Sequence, residues 1–179
     1  IGTGTVGGHK PSHVLDGKLS SYWLSIGNDS PSRRFAYEWV QVKTSGTAKV
    51  TEVRFRSVRS GYTAYVSVYA NGSWQGSKTI DYAEVGIGQN GADIPYVKTA
   101  KVTNEDEQVI RFSEIQGATR IRVTFGNLQY FNTGPYHYRA GIREISVYGS
   151  TDKRTSTSST LTPGPEGSNP GRYQDYSNI

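Results

Sequence analysis

The chain has 179 residues, enough for one domain with a tail or for two very small domains. It contains no cysteine, which excludes a small disulfide-held fold, and no stretch approaches the roughly 18 apolar residues of a membrane span. The net charge is +5, but the basic residues are scattered at alternate positions, which is typical of solvated strand faces rather than of a nucleic-acid-binding surface. Because residue 1 is Ile and methionine is absent, we expect the chain to be part of a longer product.

Apolar and polar residues alternate with a period of two along much of the chain, and helical periodicity is not seen. In chain order, the runs that predict strands are 39–43, 50–56, 64–70, 108–113, 120–125 and 142–148. Asn71-Gly72 lies between two such segments and predicts a tight hairpin. Short strands with Gly- and Asn-rich breaks predict an all-β domain, either an antiparallel sandwich or a barrel.

The alternation ends at Gly149. Residues 150–179 are rich in Ser, Thr, Pro and Gly and have almost no aliphatic side chains, so they cannot form a core. We therefore predict a domain at 1–149 and a linker or tail at 150–179, which lies either along its own domain or along a neighbouring chain.

Motifs for catalysis or nucleotide binding are incomplete. The glycine patterns at 2–7 and 86–91 lack the strand before and the helix after that a dinucleotide site needs, and Pro95 stops a helix after the second. The histidines lack zinc-site spacing, and no nucleophile-elbow sequence is present. A catalytic triad depends on geometry that the sequence does not give, but these observations favour a protein that is not an enzyme.

The segment 13–23 suggests a metal site. Asp16-Gly17 makes a tight turn with hydroxyl residues after it, and such a turn brings main-chain carbonyls beside a carboxylate. Ca²⁺ prefers an all-oxygen shell of this kind. The same residues also fit an ordinary turn capped by the Asp16 side chain.

Three segments in order carry a family resemblance: D-G-x-x-x-S-x-W at 16–23, E-W-V-Q-V at 38–42 and G-I-R-E-I-S-V-Y-G at 141–149. With them, the chain from about residue 9 to 149 resembles the discoidin or coagulation-factor type C domain, whose bacterial branch is carbohydrate-binding module family 32. The resemblance implies an eight-stranded antiparallel jelly-roll β-sandwich of the galactose-binding-domain type. The family's acidic residue after the second segment is replaced by Lys43-Thr44, and the animal family's cysteines are missing, which suits a bacterial, archaeal or phage source.

The resemblance also implies a structural Ca²⁺ that ties the first loop to the last strand. Two carboxylates, one hydroxyl and several carbonyls would hold it. The residues implied by position are His13, Asp16, Lys18, Ser21, Arg143 and Glu144.

The loop at 127–139 is the predicted ligand site, because sugar sites pair an aromatic platform with charged or amide groups. In the resembling sugar-binding modules this loop supplies a stacking ring. The predicted ligand-binding residues, with the loop at 59–62 as neighbour, are Arg59, Tyr62, Tyr130, Phe131, Tyr136, His137 and Tyr138. The same tyrosines could instead pack over the sandwich end, contact another subunit or meet a lipid.

We therefore predict a non-catalytic carbohydrate-binding or cell-surface recognition module. Its partner would be a glycan or a cell-surface polysaccharide, with no nucleic acid and no membrane span, and its location extracellular, on a cell surface or on a virion. The alternative is a structural or adhesion domain that contacts neighbouring subunits in an extracellular assembly or a phage tail or capsid.

Overall fold

The computed structural model describes residues 8–25, 37–75, 96–132, 137–150 and 154–160. Within them, no helix is long and apolar enough to cross a membrane. The described residues form one 3₁₀ turn and ten strands: the turn Pro11–Leu15, β1 Trp23–Leu24, β2 Glu38–Ser57, β3 Thr63–Ala70, β4 Ser73–Gln75, β5 Lys98–Lys101, β6 Gln108–Gly126, β7 Gln129–Tyr130, β8 Tyr138–Arg139, β9 Gly141–Tyr148 and β10 Ser156–Thr160.

Strands β2 and β6 are long and antiparallel, and they run through both layers of the sandwich. The first part of β2 pairs with the last part of β6, the register shifts between Lys43 and Glu52, and the last part of β2 then pairs with the start of β6. The first layer has the order β10-β2-β6-β3, with β4 and β5 both pairing with β3, and the second has the order β6-β2-β9-β1. This long pair of strands therefore links the two layers.

The core lies between the layers and follows the alternation in the sequence. Val40 and Val42 of β2 and Ile121 and Val123 of β6 are at most 1% exposed, whereas their polar neighbours point outward. Burial of each such side chain contributes about 1.5–3 kcal/mol relative to exposure. Across the layers, the rings of Phe55 and Phe125 lie 5.7 Å apart.

The predicted all-β antiparallel sandwich is confirmed, and each predicted strand run coincides with an observed strand. The hairpin is also confirmed, because Tyr69 pairs with Trp74 across it. Asn71 and Gly72 have φ angles of 52° and 83°, and a type I′ turn requires both to be positive. The count of eight strands is not confirmed, since the described residues form ten.

The segment after Gly149 contributes to the sandwich. Strand β10 pairs with β2, with Ser156 opposite Thr44 and Thr160 opposite Gln41. Of the two arrangements considered for this segment, residues 156–160 therefore adopt the one along their own domain.

Candidate ligand-binding and metal sites

One end of the sandwich carries the connections that follow β2, β5 and β6. The amide of Gly61 donates to the carbonyl of Val102 over 2.7 Å, and the Val102 amide donates to the carbonyl of Tyr62 over 2.9 Å, which joins the first two connections. We define the loop end by its described connecting residues: 58–62, 102–107, 126–132 and 137–139.

Gly61 sets how closely two of these connections approach. Its φ of 100° is in the region that favours glycine, and a Cβ there would lie 2.8 Å from Nε2 of Gln129. The Asn127 side-chain amide donates to the Gly61 carbonyl over 2.7 Å. A side chain at position 61 would have a strained φ and would displace the end of the Gln129 side chain.

A cleft of about 600 Å³ opens at the loop end. Hydroxyls, a side-chain amide, one ammonium group and tyrosine rings line it, and none of the described lining residues is Asp or Glu. The lining residues are Tyr37, Ser60, Gly61, Tyr62, Thr63, Tyr65, Lys101, Val102, Thr103, Gly126 and Asn127. Such a mixture can hydrogen-bond a polyhydroxylated ligand and meet its apolar faces.

Tyrosines form one wall of this cleft. A Cβ at Gly126 would lie 2.8 Å from a carbon of the Tyr37 ring, so glycine is needed for that ring to lie against β6. The rings of Tyr37 and Tyr65 meet edge to face at 5.8 Å, and those of Tyr65 and Tyr96 at 5.7 Å. The wall is therefore held by ring contacts on both sides of Tyr65.

A small hairpin stands beside the cleft and presents aromatic rings to solvent. We call β7, β8 and the described residues next to them (131, 132 and 137) the aromatic hairpin. Tyr130 is 53% exposed, and its ring lies 5.3 Å from the His137 ring and 6.0 Å from the Tyr138 ring. Tyr130 is thus the ring of this hairpin that is most open to a ligand.

The structure brings most of the predicted ligand-binding residues together but divides them into two groups. Arg59, Tyr130, His137 and Tyr138 are exposed or half-buried at the loop end. Tyr62 and Phe131, in contrast, are only 1% and 4% exposed, so we correct their placement: both rings lie in the interior, and Tyr62 only borders the cleft.

The burial of these two rings has a clear physical reason. Tyr62 stacks on Phe125 at 4.2 Å and donates to the Arg139 carbonyl over 2.8 Å, and the Arg59 guanidinium covers the Phe131 ring at 4.5 Å. Tyr136 lies outside the described residues.

Sequence reasoning missed the polar lining of the cleft. Ser60, Thr63, Lys101, Thr103 and Asn127 come from three separate connections, and none belongs to a recognisable motif. Only the strand order brings those connections to the same end of the sandwich. Ser60 and Asn127 fall within the predicted loops at 59–62 and 127–139, although neither was named as a ligand-binding residue, and no local signal identifies Thr63, Lys101 or Thr103.

The residues predicted for a metal lie where the turn at Asp16 meets β9. The Asp16 carboxylate accepts hydrogen bonds from the Ser21 hydroxyl and, over 2.9 Å, from the Lys18 amide. Glu144 accepts from the Gly17 amide over 3.2 Å, which places the two carboxylates on either side of the turn. The Ser21 hydroxyl also lies 3.3 Å from the Lys18 carbonyl.

The remaining two predicted residues flank this site. His13 lies in the 3₁₀ turn just before Asp16, and Arg143 precedes Glu144 in β9. The Arg143 guanidinium points elsewhere, since it donates to the Leu19 carbonyl over 2.8 Å and covers the Tyr22 ring. Arg143 can therefore offer only its main-chain oxygen to this site, and Nδ1 of the His13 ring lies 3.2 Å from the Tyr22 carbonyl.

The charges at this site are incompletely balanced. Burial raises the pKa of Glu144 above its ordinary value, and an ion pair of 3.0 Å with Arg154 only partly offsets this. Burial also acts to raise the pKa of Asp16, but the hydrogen bonds from Ser21 and Lys18 outweigh it and leave that pKa low. Among the described residues, Glu144 forms an ion pair and Asp16 does not, although the charges of His13 and Lys18 also lower the pKa of Asp16.

The donor set fits a hard cation, because every available group is an oxygen. Among the described residues, no three His, Cys, Asp or Glu side chains cluster as a metal site. A cation here would therefore need the hydroxyl of Ser21 and main-chain carbonyls in addition to the two carboxylates.

No family model and no curated protein sequence matches the chain. Solved structures do. A Ruminococcus gnavus GH29 fucosidase in complex with fucose matches with a TM-score of 0.53 and 17% identity over 81% of this chain, which spans 23% of the fucosidase chain.

Two separate modules match over nearly their whole length. Chitosan-binding module 2 of a Paenibacillus sp. IK-5 chitosanase/glucanase has a TM-score of 0.53 and 18% identity over 83% of this chain and 94% of its own. A pectin-binding carbohydrate-binding module has a TM-score of 0.50 and 14% identity over 84% of this chain and 91% of its own. At such identities the likeness shows the fold alone, and it confirms the fold implied by the sequence resemblance: the chain shares the β-sandwich fold of these structures.

Proposed function

We propose that the chain is a non-catalytic carbohydrate-binding module whose site is the loop-end cleft with the neighbouring aromatic hairpin. The observation that carries this proposal is the lining of the cleft, in which hydroxyl, amide and ammonium groups surround tyrosine rings. Solved modules that share the fold and are described as binding chitosan or pectin support it. The fucosidase match covers 23% of that enzyme, so its activity is not carried over.

Two kinds of contact would hold a sugar there. The exposed Tyr130 ring can meet the C–H face of a sugar ring, while Lys101 and Asn127 can hydrogen-bond its hydroxyls.

The test is binding of the whole chain to a glycan array, followed by calorimetry of variants on the best ligand. Lys101→Ala should weaken binding about tenfold, because it removes a charge-assisted hydrogen bond. Lys98→Ala is the matched control, since Lys98 is exposed on the same strand but does not line the cleft. A chain that binds no glycan, or equal losses in both variants, would contradict the proposal.

A structural Ca²⁺ at Asp16 and Glu144 is a second part of the proposal. It is supported by the all-oxygen donor set and by the incompletely balanced carboxylates. Bound there, the ion would fasten the first loop to β9, so calcium added after chelation should raise the melting temperature of the chain. Asp16→Asn should abolish that rise, whereas an unchanged melting temperature at millimolar calcium would contradict the calcium site.

An extracellular or cell-surface location fits this function, as a glycan-binding module meets its ligand there. A role as a structural domain in a virion or another assembly has less support. Strand β10 pairs with its own sandwich, and a contact between this segment and another chain was the feature that would have favoured assembly.

A further inference from the structure

The outer face of the first layer carries a cluster of cations beside aromatic rings. We call it the cationic face and define it by Gln41, Lys43, Tyr69, Trp74, Arg120 and Arg122. Arg120 lies about 20 Å from Gly126, at roughly 3.4 Å per residue of strand. The cationic face is therefore separate from the loop-end cleft.

Three positive charges meet on this face. Lys43 of β2 stands directly opposite Arg120 of β6, and both side chains are exposed. Arg122 follows two residues later, so its side chain points to the same face as that of Arg120. Like charges directly opposite on neighbouring strands destabilise a sheet, and within the described part of the chain none of the three forms an ion pair with a carboxylate.

Arg122 is the most constrained of the three. Its guanidinium lies 3.5 Å from the centre of the Trp39 ring and 4.3 Å from that of Trp74. It donates to the neutral side-chain oxygen of Gln41 over 3.2 Å, and its buried Nε has no hydrogen-bond partner among the described residues. Burial, with a smaller effect from Arg120, lowers the pKa of Arg122 to about 10, so it stays charged at neutral pH.

Two aromatic rings border the cations. Tyr69 and Trp74 pair across the β3–β4 hairpin, with ring centres 5.2 Å apart and an angle of 77° between them. Both are half-buried, and the Arg120 guanidinium covers the Tyr69 ring at 4.7 Å. The cationic face thus combines aromatic rings with guanidinium groups that form no ion pair with a carboxylate of the described residues.

We propose that the cationic face is a second binding surface, which takes an acidic polysaccharide whose sugar units carry carboxylates. Regularly spaced carboxylates would neutralise Lys43 and Arg120 and supply charge-assisted hydrogen bonds to their side chains. The sugar rings would pack against Trp74 and Tyr69. A neutral glycan satisfies only the aromatic part of this surface, and an acidic protein segment has no C–H ring faces for it.

The probe is polygalacturonate, a polymer whose sugar units carry carboxylates. Its fully methyl-esterified form is the control, because it has the same sugar backbone without the charge. The whole chain should bind polygalacturonate more tightly than the ester, and the difference should shrink as salt screens the charges. The double variant Lys43→Gln/Arg120→Gln should weaken polygalacturonate binding about tenfold, because it removes two charge-assisted contacts.

Three further measurements separate the possible outcomes. The double variant Lys10→Gln/Lys49→Gln removes the same charge from exposed sites elsewhere and should leave binding unchanged. The fold-loss caused by Lys43→Gln/Arg120→Gln should be the same with and without Tyr130→Ala at the loop end, so failure of the cationic face is distinguishable from failure of the cleft. The melting temperature of the Lys43/Arg120 variant should not fall, since the substitution relieves a like-charge pair.

Equal binding of the charged and the esterified polymer would overturn the proposal. So would equal losses in the two double variants, which would mean that only net charge matters. Tighter binding of single-stranded DNA than of polygalacturonate would overturn it in favour of a nucleic-acid surface.

Discussion

At the scale of single residues, Tyr62 shows how a side chain from a surface loop can become part of the core. Its ring lies flat on Phe125, its hydroxyl donates to the Arg139 carbonyl, and burial raises its pKa above the ordinary value. The hydroxyl therefore keeps its proton in the folded chain under conditions in which an unfolded tyrosine loses it. Tyr62 borders the cleft, but the contacts of its buried ring and hydroxyl stabilise the fold.

This position predicts how stability depends on pH. The unfolded chain releases the Tyr62 proton near the ordinary tyrosine pKa of 10.0, whereas the folded chain retains it. Above that pH the unfolded state binds fewer protons than the folded state, so the free energy of unfolding should fall as the pH rises. Replacing Tyr62 with Phe should reduce this pH dependence.

The same variant should cost about 1–2 kcal/mol at neutral pH, because the buried Arg139 carbonyl loses its donor. Urea unfolding at pH 7 and at pH 11 measures both effects. Tyr130→Phe is the matched control, since the Tyr130 side chain is exposed. If Tyr62→Phe were as stable as the original chain and kept its full pH dependence, the hydrogen bond would not have the role assigned to it.

At the scale of elements, β10 is held to the sandwich by its ladder with β2 and by the residues that precede it. The Thr155 amide donates to the Val147 carbonyl over 2.8 Å, and Arg154 forms an ion pair with Glu144. Glu144 is also a proposed calcium ligand. A cation at the Asp16 site would therefore compete with Arg154 for the same carboxylate.

We expect this competition to link calcium binding to the attachment of β10. Arg154→Gln should raise calcium affinity up to about fivefold, because an exposed ion pair of this kind is worth at most about 1 kcal/mol. By the same linkage, calcium should increase hydrogen exchange at 156–160 in the original chain. Calorimetry and exchange measure the two effects, with Lys98→Gln as a control of equal charge, and unchanged affinity together with unchanged exchange would contradict the coupling.

At the scale of the whole molecule, the parts that could be predicted are those that depend on neighbours in sequence. Alternation placed the strands, and Asn71-Gly72 placed a hairpin because both residues tolerate positive φ angles. The register between distant strands could not be predicted from the sequence. That register brings Lys43 opposite Arg120, although basic residues are scattered along the chain.

The same limit explains what was missed in the site. The cleft combines the ends of three connections, and the burial of Tyr62 and Phe131 depends on partners up to 77 positions away. The composition of residues 150–179 predicted a linker or tail because it has almost no aliphatic side chains. It did not reveal β10, since a strand that pairs at the edge of a sheet can form without them. Its stability comes from the backbone ladder with β2.

Because β10 pairs with β2, the folding unit extends beyond Gly149. A chain that ends after Ser150 loses β10 and leaves residues 41–44 of β2 as an open edge, whereas a chain that ends after Thr160 keeps the ladder. We expect the shorter chain to be less stable by on the order of 2 kcal/mol, since each backbone hydrogen bond contributes about 0.5–1.5 kcal/mol. An open edge also promotes pairing between molecules, so the shorter chain should self-associate at concentrations at which the longer one is monomeric. Urea unfolding and sedimentation of the two chains measure this, and glycan binding at the loop end should be equal in both. Equal stability and equal association would mean that the sandwich is complete at Gly149 and that β10 is only an attachment to it.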